Sequence, residues 1–181
     1  MKTRSIVQTF ATAAFIVSTL TACGPSKVAQ CNALSSQINK ASGLGKKFEA
    51  VGKEMSPQNG SIKSIEDFRR VSKQGSEKVK VLVGELDGFV TSVKAVEVKD
   101  EKLVGYRDRA VTIYSNASKS LGEIADILGK FTKVEANEAG KKLIQDSLQD
   151  LQKSSMALTT IDKDEKAVAS EFNTYCGAEK K

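Results

Sequence analysis

The 181-residue chain contains no histidine, and this limits what its other reactive side chains could do. Histidine is the commonest general base near neutral pH and the commonest ligand of transition metals. Helical bundles that hold two iron ions with Glu-x-x-His motifs are excluded for the same reason. An enzyme would have to work with carboxylates, lysine or tyrosine alone. We therefore expect no catalytic residues, no metal and no cofactor.

Two local patterns resemble ligand-binding loops, but neither is complete. Asp162-Lys163-Asp164-Glu165 is acidic, yet a calcium loop needs a third oxygen ligand followed by glycine, where this chain has Lys166 and Ala167. Gly-Lys pairs occur at 45–46, 52–53, 129–130 and 140–141, and none has the spacing of a phosphate-binding loop. We interpret the acidic run as a capped, solvated turn of a helix.

The densest polar and aromatic patch is Tyr106-Arg107-Asp108-Arg109, with Tyr114 two helical turns further on. Its candidate partner-binding residues are Tyr106, Arg107, Arg109 and Tyr114. The alternative is a helix face with one core tyrosine and ion pairs within the helix, and we favour it.

Residues 1–23, MKTRSIVQTFATAAFIVSTLTAC, form a distinct N-terminal segment. Lys2 and Arg4 precede an apolar stretch of 15 residues from Ile6 to Leu20. This stretch is shorter than the roughly 20 residues of a membrane-spanning helix, and it is typical of the core of an export signal. Leu20-Thr21-Ala22-Cys23 follows the pattern of one aliphatic residue, two small residues and a cysteine.

This segment resembles the signal and lipobox of bacterial lipoproteins. The resemblance implies that residues 1–22 are removed, that the Cys23 thiol receives a diacylglycerol and that the freed amine is usually acylated too. Two or three acyl chains form a stable anchor. We therefore expect a lipid-anchored protein that faces the periplasm or another extracytoplasmic compartment. An uncleaved N-terminal anchor, or an ordinary signal with a coincidental cysteine, is the alternative.

Lipidation of Cys23 would leave two of the three cysteines, Cys31 and Cys176, near the two ends of the mature domain. Because an extracytoplasmic compartment is oxidising, we expect a disulfide bond between them. The alternative is a pair of buried, unpaired thiols.

The charge of the mature chain is only weakly basic. All 22 acidic residues and 26 of the 28 basic ones follow Cys23. The basic residues form no long run interleaved with aromatics, so we expect no nucleic-acid binding. A mild preference for anionic lipid headgroups or an acidic partner is one interpretation; a solvated mixed-charge surface is the one we favour.

Apolar residues recur three to four positions apart along the mature chain, which predicts an all-α fold. The expected helices span about 26–55, 62–97, 101–131 and 137–175. They should pack as an up-down-up-down four-helix bundle over 28–177, between a tether at 23–27 and a tail at 178–181. The strongest seam has eight apolar residues at ten positions, 65, 68, 72, 75, 79, 82, 86, 89, 93 and 96.

Several finer features follow from single residues. Ser64 and Asp100 are the expected N-caps of the second and third helices. Pro57 predicts a turn at 56–60, and the glycines in Ser42-Gly43-Leu44-Gly45 predict a kink or short break in the first helix. A bend of the fourth helix near 160 is left open. The bundle topology places Cys31 and Cys176 at the same end.

Three short segments carry a second resemblance. Val28-Ala29-Gln30-Cys31-Asn32, Lys99-Asp100-Glu101-Lys102-Leu103-Val104-Gly105-Tyr106 and Phe172-Asn173-Thr174-Tyr175-Cys176 are similar to a group of uncharacterised cyanobacterial lipoproteins. Those proteins pair a lipobox with an N-terminal and a C-terminal cysteine around an all-helical domain. The resemblance implies no activity.

These observations predict a monomeric binding or accessory subunit of a membrane-associated complex, without catalysis, whose protein partner is unknown. The alternative is a bundle that holds a lipid or small apolar molecule between its helices, where small seam residues such as Ser72, Gly75 and Ala110 leave space.

Overall fold

The computed structural model describes residues 25–55 and 62–177, and helices make up nearly all of them. The helices are α1 (Lys27–Ile38), α2 (Ala41–Met55), α3 (Ile65–Lys94), α4 (Glu101–Phe131) and α5 (Glu138–Cys176). No strand occurs in these ranges, and α1 and α2 together form the first arm of a four-helix bundle. The predicted all-α bundle is confirmed. The N-terminal signal with Cys23, the turn predicted at 56–60 and the tail at 178–181 lie outside the described residues.

Side chains cap the helices at the predicted positions. Ser64 Oγ accepts a hydrogen bond from the Asp67 amide at 3.0 Å, and Asp100 Oδ1 accepts one from the Leu103 amide at 3.1 Å. These bonds satisfy amides that have no partner within the helix. Asn137 caps α5 in the same way, through the Gly140 amide at 2.9 Å.

The first arm breaks at 39–40, so the expected break at 42–45 is wrong. Asn39 ends α1, and its amide bonds back to the carbonyl of Ser35. Ser42 Oγ then donates to the Asn39 carbonyl at 2.9 Å and begins the next helical turn. Gly43 and Gly45 lie inside α2, where their cost of about 1 kcal/mol each is tolerated. Local hydrogen bonding at Asn39 thus decides the position of the break.

α5 is continuous through residue 160 and contains 39 residues, about 58 Å of helix. The residues before and after position 160 therefore belong to one helix, which settles whether the predicted fourth helix is continuous there. At its other end Gly140 lies against the α4–α5 loop, and a Cβ there would come within 1.9 Å of the Glu135 carbonyl oxygen. Only glycine permits this close approach of loop and helix.

The predicted seam of α3 is the centre of the core. Seven of its positions are buried, and Ile65, Phe68 and Val96 are half-buried. Aromatic pairs join α3 to α4 along this seam: Phe68 with Phe131 at 5.3 Å between ring centroids, and Phe89 with Tyr114 at 4.8 Å. Such pairs each add about 0.5–1.5 kcal/mol beyond their buried area.

Helix neighbours differ between the two ends of the bundle. α4 packs closely against α3 and α5, and α1 reaches α3, α4 and α5. α2 packs against α3 but makes no comparable contact with α5. The first arm is therefore inserted fully into the bundle only along α1. No helix within 25–55 or 62–177 is both long and apolar enough to cross a bilayer.

Cys31 and Cys176 lie at the same end of the bundle, as the topology predicts. Their sulfur atoms are 2.07 Å apart, and their Cα atoms are separated by 5.9 Å. Cys31 is 4% exposed, so the link is inside the packed end of the molecule. The disulfide joins the second turn of α1 to the last residue of α5.

Removal of this link should destabilise the bundle strongly. The cysteines are 145 residues apart, and closing a loop of that size stabilises by about 5 kcal/mol in the chain-entropy account. We expect the Cys31→Ala, Cys176→Ala double variant to lose up to that amount of unfolding free energy in equilibrium urea denaturation. Wild-type protein reduced with a dithiol is the matched control and should lose a similar amount. A loss below about 1 kcal/mol in both samples would contradict the expectation.

Candidate functional site

The disulfide end is held together by a glutamine that the sequence analysis did not single out. Gln30 Oε1 accepts hydrogen bonds from the amides of Lys99 and Asp100 at 2.5 and 3.0 Å, and its Nε2 donates to the Pro25 carbonyl at 2.7 Å. Gln30 is 7% exposed. One buried carboxamide therefore ties the start of α1 to the α3–α4 loop.

Tyr175 ties the end of α5 to the same loop. Its hydroxyl donates to Asp100 Oδ2 at 2.7 Å, while the Lys27 ammonium lies 3.6 Å from the centroid of its ring. The hydrogen bond from Tyr175 lowers the pKa of Asp100 and raises the pKa of Tyr175. The first arm, the α3–α4 loop and the C-terminus of α5 thus meet in one polar cluster beside the disulfide.

The three short segments quoted in the sequence analysis, 28–32, 99–106 and 172–176, all contribute residues to this end. Gln30 and Cys31 come from the first segment, Asp100 from the second, and Tyr175 and Cys176 from the third. Residues far apart in sequence are therefore direct neighbours. The three segments together build one structural unit, the closed end of the bundle.

The candidate partner patch is not one exposed surface. Tyr106 is half-buried with its ring edge-on to Phe172, at 5.8 Å between centroids, and Tyr114 is 6% exposed. Arg107 donates to the Val96 carbonyl and pairs with Asp108.

Arg109 of the same patch pairs across helices instead of along its own. Its guanidinium nitrogens lie 2.5 and 3.3 Å from the two carboxylate oxygens of Glu171 on α5. This contact lowers the pKa of Glu171. The structure thus divides the patch into two tyrosines that face inward and two arginines engaged in separate surface contacts.

The two inward tyrosines border a cavity of about 100 Å³ between the last turn of α1, the N-terminal half of α4 and the C-terminal half of α5. Tyr114 donates from its hydroxyl to Glu165 Oε1 at 2.8 Å. Burial raises the pKa of Tyr114, so the phenol stays protonated and remains a donor at physiological pH. The remaining wall is largely apolar and includes Ile38, Ala110, Ile113, Val168 and Phe172.

Glu165 departs from the interpretation of residues 162–165 as a solvated turn. Asp162, Lys163 and Asp164 are exposed, but Glu165 is half-buried and lies on the inward face of α5. The helix continues through this run without a new cap. The acidic run therefore contains one carboxylate that belongs to the cavity and not to the solvated face.

Two larger and more open grooves, of about 360 and 420 Å³, follow the surface between α4 and α5. Charged side chains dominate the larger one, whereas the other mixes Asp108, Arg109 and Asp164 with small and apolar residues. Among residues 25–55 and 62–177, no group of three or more aspartates, glutamates and cysteines is placed to hold a metal ion.

No protein-family model, curated protein or solved structure matches this chain.

The roles of Gln30 and Glu165 were not predicted from the sequence, although the sequence contains a signal for each. The apolar positions of the fourth helix run through Leu158 and Ile161 and resume only at Val168, and Glu165 occupies the gap on the same face. Gln30 precedes Cys31 and lies one turn before the fully buried Leu34. A polar residue at a core position of an amphipathic helix was the informative pattern in each case.

The Tyr175–Asp100 bond predicts a measurable pH effect. Because the pKa of Asp100 is lowered in the folded state, its stabilising contribution is present above the unfolded pKa of about 3.9 and is lost as pH falls through the folded value. We expect Tyr175→Phe to raise the pKa of Asp100, measured by carbon-detected NMR titration. The stability difference between wild type and variant should shrink below about pH 4.

Asp67 provides the internal control, since its pKa is lowered by Arg70 and by local bonds to Lys63 and Ser64, with no contribution from Tyr175. It should titrate alike in both proteins. An unchanged pKa of Asp100 in Tyr175→Phe would contradict the role given to this hydrogen bond.

Proposed function

We propose that this chain is a lipid-anchored bundle protein that faces the periplasm or another extracytoplasmic compartment. It acts as a monomer and as an accessory subunit of a membrane-associated complex, binding a protein partner without catalysis. The lack of histidine throughout the sequence supports a binding role over an enzymatic one.

The anchor is supported by the lipobox resemblance at Leu20–Cys23 and by the position where the bundle begins. Pro25, two residues after Cys23, is hydrogen-bonded through its carbonyl to Gln30 at the closed end. A diacylglycerol on Cys23 therefore holds the closed end near the membrane. The α4–α5 loop at 132–137 then faces away, because α4 and α5 run the length of the bundle.

The observation that carries the binding role is a pair of exposed apolar side chains, Phe48 on α2 and Leu148 on α5, two helices that do not pack closely against each other. By helical spacing, Phe48 shares a face with the half-buried Leu44 and Val51, yet it is 43% exposed. The reason is that α2 packs against α3 and leaves α5 uncovered on that side.

The same holds for the facing helix. Leu148 lies between Ile144 and Leu151, which are half-buried against the core, and is 55% exposed. A fully packed four-helix bundle would cover both inward faces. An amphipathic helix of a partner subunit fits such an opening, with apolar residues at positions three and four apart inserted between the two helices.

The alternative, a bundle that holds a lipid, is less well supported. Pockets for drug-sized ligands usually measure about 300–1,000 Å³. The cavity beside Tyr106 and Tyr114 has about 100 Å³. The largest groove between α4 and α5 is lined mainly by charged side chains, including Asp126 and Lys130, which do not suit an acyl chain, and the second groove carries Asp108, Arg109 and Asp164.

The anchor is tested by Cys23→Ser. Wild-type protein should incorporate radiolabelled palmitate in cells, whereas the serine variant should not, because a hydroxyl does not replace the thiol that forms the thioether to diacylglycerol. Cys176→Ala is the matched control and should remain labelled, although its disulfide is lost. Equal labelling of wild type and Cys23→Ser, or no labelling of either, would rule out lipidation at this residue.

The docking surface is tested by Leu148→Glu and Phe48→Glu. A charge at the centre of a desolvated interface typically costs more than 2 kcal/mol, so we expect each variant to retain below about 5% of the partner recovered by crosslinking and purification from detergent-solubilised membranes. Met156→Glu is the matched control, since Met156 is 64% exposed on the outer face of α5.

The control should recover the partner at the wild-type ratio, and Leu148→Glu and Met156→Glu should melt near the wild-type temperature because these side chains are 55% and 64% exposed. Wild-type recovery with Leu148→Glu and Phe48→Glu would refute this docking surface. Repeated failure to obtain any stoichiometric partner with wild type would refute the accessory-subunit role itself.

A further inference from the structure

Glu165 is an acidic residue at a core position without a cationic partner. It occupies the inward face of α5 between Ile161 and Val168 and is half-buried. None of the ion pairs found among residues 25–55 and 62–177 includes it. Its one side-chain partner is the neutral hydroxyl of Tyr114. A carboxylate in such a place costs solvation energy that a single neutral hydrogen bond recovers only in part.

The space beside this carboxylate is apolar and aromatic. The rings of Tyr106, Tyr114 and Phe172 line the cavity together with the aliphatic side chains of α4 and α5. Tyr106 and Phe172 meet edge to face at 5.8 Å between centroids, so their ring planes are nearly perpendicular and border the space from two directions. A cation within about 6 Å of such a ring is attracted by its quadrupole.

The kind of cation follows from the donor set. A metal ion needs several oxygen ligands, and no group of three acidic or thiol side chains surrounds Glu165 in the described part of the chain. An alkylammonium needs only one negative charge and an apolar, aromatic surface for its carbon atoms.

The size of the cavity sets the size of the ligand. A cavity of about 150 Å³ with apolar walls is known to hold benzene. The cavity beside Glu165, at about 100 Å³, matches a compact head group such as trimethylammonium. Because the lining includes the exposed side chains of Asn39 and Asn173, a short polar substituent on the ammonium can extend toward solvent.

We propose that the cavity between α1, α4 and α5 is a binding site for a small alkylammonium cation. The carboxylate of Glu165 balances its charge, and the rings of Tyr106, Tyr114 and Phe172 contact its methyl groups. Tyr114 holds the carboxylate in place through its hydroxyl. The site is independent of the docking surface between Phe48 and Leu148, since none of its lining residues belongs to that surface.

The test uses the purified, detergent-solubilised protein and isothermal titration calorimetry at constant ionic strength. Choline is the probe, and 3,3-dimethylbutan-1-ol is its neutral isostere with carbon in place of nitrogen. We expect saturable one-to-one binding of choline and at least about tenfold weaker binding of the isostere, because the two differ in charge but not in shape. Equal affinity for both would show an apolar cavity without charge recognition and overturn the proposal.

Glu165→Gln removes the charge and keeps an oxygen that accepts the Tyr114 hydrogen bond, so the fold should be preserved. We expect choline binding to weaken at least about tenfold in this variant. Asp164→Asn is the matched control, since Asp164 is the preceding acidic residue, is exposed and lines the outer α4–α5 groove. It should bind choline like wild type.

If Asp164→Asn weakened choline binding as much as Glu165→Gln does, the effect would come from the overall surface charge, and a site at Glu165 would be refuted. Absence of saturable choline binding to wild type at tens of millimolar would also refute the proposal. The comparison of choline with its isostere is made on wild-type protein, so it stays decisive even where a variant fails to fold.

Discussion

The covalent link between Cys31 and Cys176 is the constraint on which the first arm depends. α1 has only 12 residues, and Gln30, Cys31 and Leu34 are the ones it buries. A helix of this length is marginal in water without tertiary contacts. The disulfide keeps α1 beside α5, and this position brings Gln30 onto the amides of the α3–α4 loop and Leu34 fully into the core. Covalent and non-covalent contacts at this end therefore support one another.

The opposite half of the first arm shows what happens without such a link. α2 has an apolar face, but none of its residues 41–54 is buried, and it is held to α3 partly by exposed ion pairs such as Lys47–Glu85. Exposed pairs of this kind contribute little, typically below 1 kcal/mol. The molecule is thus closed and rigidly tied where the proposed anchor lies, and open between α2 and α5 further along. This difference in packing between the two ends of the bundle suits a protein that is fixed at one end and binds at the other.

Local rules predicted much of this architecture. The caps at Ser64 and Asp100 and the ten-position seam of α3 depend on hydrogen-bonding groups and spacing within a few turns, so the sequence alone was sufficient for them. Antiparallel connectivity was also sufficient to place Cys31 beside Cys176.

The features that the sequence did not predict depend on contacts between residues that are far apart along the chain. Glu165 faces inward and is hydrogen-bonded to Tyr114 on α4, and Gln30 is hydrogen-bonded to the amides of the α3–α4 loop. Neither partner is close to its residue in the sequence. The separation of α2 from α5 follows from the direction the chain takes after Asn39, and no periodicity encodes that direction. The break lies at 39–40 and not at the glycines because Asn39 and Ser42 form local hydrogen bonds there, while Gly43 and Gly45 stay helical.

The tyrosines are confined to the half of the bundle that the disulfide closes, so tyrosine fluorescence reports on that half. The protein contains three tyrosines and no tryptophan, and the tyrosines are Tyr106, Tyr114 and Tyr175. All three lie on α4 or the end of α5, in the half that the disulfide closes. Intrinsic ultraviolet emission therefore reports on that half alone, while circular dichroism of the backbone averages over every helix. Fraying of α2 would be silent in the first signal and visible in the second, so the two together separate local opening from global unfolding.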